Sequence, residues 1–224
     1  MKLSLHEITQ AMLEQKQALF SSPDSVAVHN AVYRSIAAGE PVTPEYVAKV
    51  TGFPVEDIAP AFDDLRKGGS DFNSEGNLVG FMLSLVPTQH EFQLNGRGLY
   101  TWCAFDALFL PGFLGETAGI RSVCPATGKT IQLTVSPDGI EDPSPIDVVL
   151  SLTVPGISAA CAPGEKGGAA GASCSSIDFF VNRKVAEDWL GPDTDLAILS
   201  LDEAWHVAYE ARIKPYRHTL AKLN

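Results

Sequence analysis

The stretch DFNSEGNLVGFML, Asp71 to Leu83, reads as a β-hairpin and decides the fold class. Asp71-Phe72 opens it, Ser74-Glu75-Gly76-Asn77 supplies turn chemistry, and Leu78 to Leu83 alternates as a strand does. Toward the N-terminus the period changes to that of helices. Residues 55–67 form a helix closed by Gly68-Gly69. Before it, Thr43, Pro44 and Glu45 supply an N-cap, an N1 proline and an acidic first turn for a short helix reaching about Val50, with Gly52 turning the chain. Residues 25–38 make another helix, closed by Gly39 and preceded by the breaker Ser21-Ser22-Pro23-Asp24. Residues 3–20, with Leu5, Ile8, Met12 and Leu19 near helical spacing, make the first. Three helices followed by a hairpin is the order of a winged helix.

A winged helix often binds DNA, but this one carries the wrong charge. Its groove-facing helix holds Glu56, Asp57, Asp63 and Asp64 against Arg66 and Lys67, and no Lys or Arg lies between Asp71 and Pro87. Phosphate would be repelled. A structural or lid role is expected instead.

Beyond Pro87 the pattern turns to strands with flanking helices. Strands are expected at 89–95, about 117–123, 130–136, 146–153, 176–181 and 195–201. Residues 99–110, LYTWCAFDALFL, read as a very apolar helix stopped by Pro111 and Gly112. Further helices are expected around 184–190 and from Asp202 to Leu220, and a Gly/Ala/Pro-rich loop runs from Pro155 to Ser173. The expected fold is α+β, in three parts: an N-terminal helix (1–20), a winged-helix-like domain (21–88) and a mixed-sheet catalytic domain with flanking helices (89–224).

Composition narrows the function. A chain of 224 residues with 45% hydrophobic and 19% charged residues is globular. It has no apolar run of about 18 residues for a membrane span, and its N-terminus lacks a secretory leader. A cytoplasmic location is expected. The net charge of −11 disfavours nucleic acid and anionic membrane as partners. The four cysteines, Cys103, Cys124, Cys161 and Cys174, are expected as thiols in that compartment. None forms a C-x-x-C pair, which argues against a structural zinc site.

Two of these residues invite chemistry. Cys103 and Asp106 stand three apart and so share a helix face. A carboxylate among Trp102, Phe105, Leu108 and Phe109 should be pushed toward its neutral form, which suits proton transfer near neutrality. Read alone, Asp106 fits a capping or buried hydrogen-bonding carboxylate equally well. Near a helix start the dipole favours a thiolate at Cys103, although a buried cysteine is more often a small hydrophobe. Cys174 lies where the Gly-rich loop enters a strand.

The run Leu99-Tyr100-Thr101-Trp102-Cys103-Ala104-Phe105-Asp106-Ala107-Leu108 resembles the signature of the bacterial organomercurial (alkylmercury) lyases. So do Cys124-Pro125-Ala126-Thr127-Gly128, Leu133-Thr134-Val135-Ser136-Pro137, and Cys174 with Phe179-Phe180 and Ala186-Glu187-Asp188-Trp189. Gly39-Glu40-Pro41-Val42 and Gly76-Asn77-Leu78-Val79-Gly80 are also similar, so the likeness covers roughly residues 25–210. It implies mercury-binding thiols at Cys103 and Cys174, a proton-handling Asp106 that also lies on the product Hg(II), and a structural Cys124. Two departures stand out: Ser175 replaces a further cysteine present in some members, and the loop bearing Cys161 has no clear counterpart.

The chemistry explains the residue types. Mercury(II) is soft and prefers thiolates. Two thiolates push electron density onto the carbon, and a nearby acid must protonate it as the carbon–mercury bond breaks. The resemblance therefore implies protonolysis to a hydrocarbon and Hg(II), with no organic cofactor. Small thiols or a mercuric reductase would accept the ion. A monomer is expected, with a weak dimer as the alternative. The competing reading is a thiol-based metal-binding or metal-sensing protein on a winged-helix scaffold without lyase activity.

Overall fold

A computed structural model describes residues 3–19, 23–156 and 176–223. Among these the chain forms α1 (Leu5–Leu19), α2 (Pro23–Ala37), α3 (Pro44–Thr51), α4 (Val55–Lys67), β1 (Asp71–Phe72), β2 (Leu78–Phe81), β3 (Leu83–Ser84), β4 (His90–Leu94), β5 (Arg97–Thr101) and α5 (Ala104–Leu114). There follow β6 (Ala118–Val123), β7 (Thr130–Ser136), β8 (Gly139–Ser144), β9 (Val149–Leu152), β10 (Phe179–Phe180), α6 (Arg183–Leu190), β11 (Ala197–Ser200), α7 (Leu201–Ala208) and, at the end, α8 (Arg217–Leu223). The α+β class holds. No described helix is long and apolar enough to cross a membrane.

The capping signals were sound guides. The Thr43 side chain accepts from the Tyr46 N–H at 3.2 Å, and Gly52 ends α3 at φ +78°. The hairpin is less simple than its alternation suggests. Met82 adopts φ +60°, a left-handed conformation that a non-glycine residue enters at a cost. There the chain reverses, so β2 and β3 pair with each other, Phe81 opposite Leu83. The run Leu78–Leu83 is two short strands rather than one.

β3 then carries the hairpin into a larger sheet, ordered β1-β2-β3-β5-β4-β6-β7-β8, while β10-β9-β11 forms a second. Every pairing is antiparallel, so the expected mixed sheet is not what forms. Short connections account for the hairpins β4–β5, β6–β7 and β7–β8, because parallel pairing needs a long crossover. Phe92 lies opposite both Leu99 and Ile120, and Ile120 opposite Leu133, making one apolar row across four strands. The other face carries Glu91 and Arg121, paired at 3.0 Å.

α5 packs on the apolar face. All its residues except Gly112 are buried, as expected of a helix apolar all round. Its boundaries correct the sequence reading. Leu99-Tyr100-Thr101 is strand, not helix, because Asn95 (φ +51°) and Gly96 (φ +78°) form a tight turn that pairs β5 with β4. Pro111 and Gly112 do not stop the helix, which runs to Leu114 and closes at Gly115 (φ +73°). At Gly112 an added Cβ would meet the Ile213 side chain at 2.4 Å, so the glycine permits close approach of the C-terminal region. That region is not one helix either. After α7 a π-helical turn covers Tyr209–Ile213 and a 3-10 turn Lys214–Tyr216, a break that Pro215 imposes by lacking an N–H.

Candidate active site

The strand-to-helix junction at Thr101–Ala104 positions the first thiol. β5 ends at Thr101, whose hydroxyl donates to the Cys103 carbonyl at 3.0 Å, and the Thr88 hydroxyl donates to the Thr101 carbonyl at 2.7 Å. The Trp102 N–H donates to the Met82 carbonyl at 2.9 Å. The Trp102 indole N–H donates to Asp71 Oδ2 at 3.0 Å, and the Ser84 hydroxyl reaches the same oxygen at 3.3 Å. Gly80 makes room for this arrangement, since a Cβ there would sit 2.4 Å from both Asp71 Oδ2 and Ser84 Oγ. Cys103 itself is the N-cap of α5, one residue before the helix proper and only 1% exposed.

Asp106 occupies the third position of α5, where Asp and Glu commonly turn back to the cap. Its Oδ2 accepts from the Cys103 N–H at 3.2 Å, and the Cys103 thiol also hydrogen-bonds the carboxylate. Burial pushes the Asp106 pKa up to about 7, against the lowering effects of both Cys103 bonds and of the Arg212 charge. Desolvation wins because the group is only 4% exposed. The sequence-based expectation of a raised pKa holds, even with the Arg212 charge nearby.

Arg212 was not foreseen. It is 5% exposed, sits in the π-helical turn, and donates from Nη1 to the Met12 carbonyl of α1 at 3.0 Å. Its signal was available, since it follows Ala204 and Ala208 at intervals of four on the buried face. Tyr33, on α2, is fully buried, and its hydroxyl donates to Met82 Sδ at 3.2 Å. Burial, reinforced by Asp106 and opposed by Arg212, holds its pKa well above the ordinary value. A carboxyl, a cation, a phenol and a thiol thus share one electrostatic environment beneath α5.

Of the other cysteines, Cys124 sits at the end of β6 in the Cys124–Gly128 turn, where Gly128 N–H donates to its carbonyl at 2.8 Å. Cys161 and Cys174 lie outside the described residues. The chain just after Cys174 is described, and it meets the first thiol's helix directly. The Ile177 carbonyl accepts from the Ala104 N–H at 3.1 Å, at the residue following Cys103. Among the described residues no group of three His, Cys, Asp or Glu is placed to hold a metal ion.

The alkylmercury lyase (MerB) family profile matches residues 83–211, a span that includes Cys103, Asp106 and Ile177 but stops short of Tyr33 and Arg212. The chain belongs to the alkylmercury lyase family. It is 34% identical over 174 residues to the alkylmercury lyase of Staphylococcus epidermidis, covering 78% of this chain and 76% of that one. It is 31% identical to the Bacillus cereus alkylmercury lyase, covering 92% of this chain and 90% of the other. The fold is similar to that of a crystal structure of the mercury-bound form of MerB2, with TM-score 0.73 and 23% identity, covering 96% of this chain and 99% of that one. The enzyme is accordingly an alkylmercury lyase.

Proposed function

We propose that this lyase cleaves carbon–mercury bonds by protonolysis, with Cys103 and Cys174 as the mercury-binding thiols and Asp106 as the proton carrier. The observation that carries this reading is the bond from Ala104 N–H to the Ile177 carbonyl. Ile177 lies three positions after Cys174 in the sequence, a span of at most about 11 Å. This supports the choice of Cys174 as the thiol that acts with Cys103.

The steps balance as follows. The Cys103 thiol displaces the ligand on an organomercury cation and loses its proton to solvent, forming a sulfur–mercury bond. The Cys174 thiol adds to the same mercury and passes its proton to Asp106. Asp106 then delivers that proton to the carbon as the carbon–mercury bond breaks, releasing hydrocarbon and leaving Hg(II) between two thiolates. A carboxyl group with a pKa of about 7 is suited to both halves of this transfer, since it exchanges a proton readily near neutrality. Hg(II) here is product, with Asp106 close to it, and no organic cofactor enters. Small thiols or a mercuric reductase would take the ion from the enzyme, which we expect to act as a cytoplasmic monomer. Residues 21–88, winged-helix-like in element order, serve as a structural unit for the catalytic part at 89–224, and α1 supports Arg212 through Met12.

The test is direct: the full chain is incubated with phenylmercury or methylmercury and excess thiol, and benzene or methane is measured by gas chromatography. Stoichiometric hydrocarbon supports the reading. Tight mercury binding without hydrocarbon would instead favour a metal-binding protein.

A further inference from the structure

The mechanism leaves unused a polar cluster at the edge of the site, built on the buried His90 and the partly buried Asp178. Asp178 accepts a hydrogen bond from Gln89 Nε2, which also lies 3.3 Å from His90 Nε2. His90 is 1% exposed, its Nδ1 lies 2.8 Å from Ser122 Oγ, and its Nε2 is 3.7 Å from Asp178 Oδ1. The two hydrogens of one amide can serve both acceptors, Asp178 and His90 Nε2, which leaves Nδ1–H to donate to Ser122. His90 is then neutral, in keeping with burial that lowers its pKa to about 4. Despite their proximity, His90 and Asp178 are not an ion pair.

The main chain of the same segment is held from the other side. The Asp178 N–H donates to Ser151 Oγ at 2.9 Å, the Ser151 N–H donates to the Asp178 carbonyl at 3.0 Å, and the Ser151 hydroxyl donates to the Ser176 carbonyl at 2.8 Å. Ser151 is fully buried on β9 of the small sheet, whereas Gln89 and His90 belong to the β4 end of the large one. Residues 176–178 therefore join both sheets to the first residue of α5. Even partly buried, a carboxylate is a costly way to glue two sheets together, and an apolar contact of similar volume would serve adhesion at least as well. What the polar cluster adds is direction.

Resting on the lyase reading, we propose that Asp178 is a positioning residue of the reaction. Tethered by Gln89 and Ser151, it keeps the Ile177 carbonyl on the Ala104 N–H and so fixes the start of the helix that Cys103 caps. Capture of mercury at Cys103 and proton transfer from Asp106 depend on that placement, and a misplacement of about 1 Å is enough to slow such a step about 100-fold.

The experiment compares the full-length wild-type chain with Asp178→Ala and Asp178→Asn. It measures kcat and KM for benzene release from phenylmercury, Hg(II) retained after a thiol wash, and melting temperature. Asp178→Ala should lower kcat on the order of 10- to 100-fold with KM changed less than about threefold, and should lose retained Hg(II). Asp178→Asn keeps an oxygen for the Gln89 amide and should recover kcat to within about threefold of wild type. A folded Asp178→Ala enzyme with wild-type kcat and mercury retention overturns the inference. So does an Asn variant as impaired as Ala, since that result would make the charge or proton of Asp178 the active property. Should Asp178→Ala fail to fold, Gln89→Met removes the side-chain tether alone; a kcat reduced at least about threefold supports the inference and an unchanged one overturns it. Absence of benzene from the wild-type chain overturns the lyase reading and this inference with it, whereas turnover that these variants leave intact overturns only the inference.

Discussion

Cys103 and Cys124 are both buried thiols at the ends of strands, yet their surroundings prepare them for opposite lives. Cys124 is ringed by donors. Burial pushes its pKa up, but hydrogen bonds from the Thr127 side chain and from the backbone at Val181, Ala126 and Thr127 outweigh this and lower it. These bonds tie the thiol into a turn and give its sulfur no proton to manage. Cys103 instead caps a helix and faces a carboxyl group whose own pKa is displaced to about 7. Burial is common to the two sites, so burial alone does not distinguish them. The difference lies in the neighbouring Asp106 carboxyl, the proton carrier of the proposed mechanism.

The comparison breaks most sharply if Cys103 proves dispensable. Cys103→Ser should abolish hydrocarbon release, by at least about 1,000-fold, because an alcohol oxygen is too hard and too weakly acidic to hold mercury. Cys174→Ser should match it. Single-turnover assays with melting curves check both, and a folded, active Cys103→Ser enzyme would transfer the chemistry to another thiol.

Asp106→Asn comes next, with a loss on the order of 100- to 10,000-fold in hydrocarbon release and mercury binding retained. It also has a signature in stability. The folded pKa of Asp106 lies above its unfolded value, so the protonated form favours folding. That contribution is complete below about pH 4 and is lost as pH rises through about 7, a change on the order of 4 kcal/mol. Relative to wild type, Asp106→Asn should therefore gain stability between these pH values, as read by denaturant unfolding. Parallel curves for the two proteins would show that the carboxyl is not displaced in this way.

How much of this contrast was readable beforehand follows from how local each feature is. The Thr43 cap, Gly52 and the limits of α4 were legible because capping is settled by adjacent residues. The Cys103 and Asp106 pairing was legible for the same reason, being three residues apart. The β5 strand was missed because a run as apolar as LYTWCAFDALFL satisfies both a buried strand and a buried helix, although Asn95-Gly96 marked the turn that decides it. Tyr33, Arg212 and Asp178 reach the site from distant parts of the chain, and pairing across such separations is carried by tertiary packing. Only their polarity within apolar faces hinted at a role.

Gly80→Ala tests whether the advantage of Cys103 depends on how its neighbour Trp102 is held. The new methyl group would collide with Asp71 and Ser84, which receive and flank the Trp102 indole N–H. A loss of about 1–3 kcal/mol in stability is expected, with tryptophan fluorescence altered and turnover reduced less than about tenfold. Unchanged fluorescence and stability would show that the Asp71 bond is slack.

Cys124→Ser should have the smallest effect on turnover, within about twofold, and a cost of about 1–2 kcal/mol in stability. The hydroxyl can accept the same hydrogen bonds, but oxygen is smaller than sulfur and fills the buried site less well. Its pH dependence should run opposite to that of Asp106. The folded pKa of Cys124 lies below its unfolded value, so the thiolate favours folding. The contribution appears as pH rises through the lowered folded pKa and is complete above the unfolded value of about 8.5. Wild type should thus pull ahead of Cys124→Ser toward alkaline pH, while the advantage of Asp106→Asn over wild type is already fully expressed there. Denaturant unfolding across that range distinguishes the two thiol environments without any mercury present. If Cys124→Ser instead lost turnover while remaining folded, its thiol would belong to the mercury chemistry, and the division between a structural and a catalytic cysteine would fail at its less reactive member.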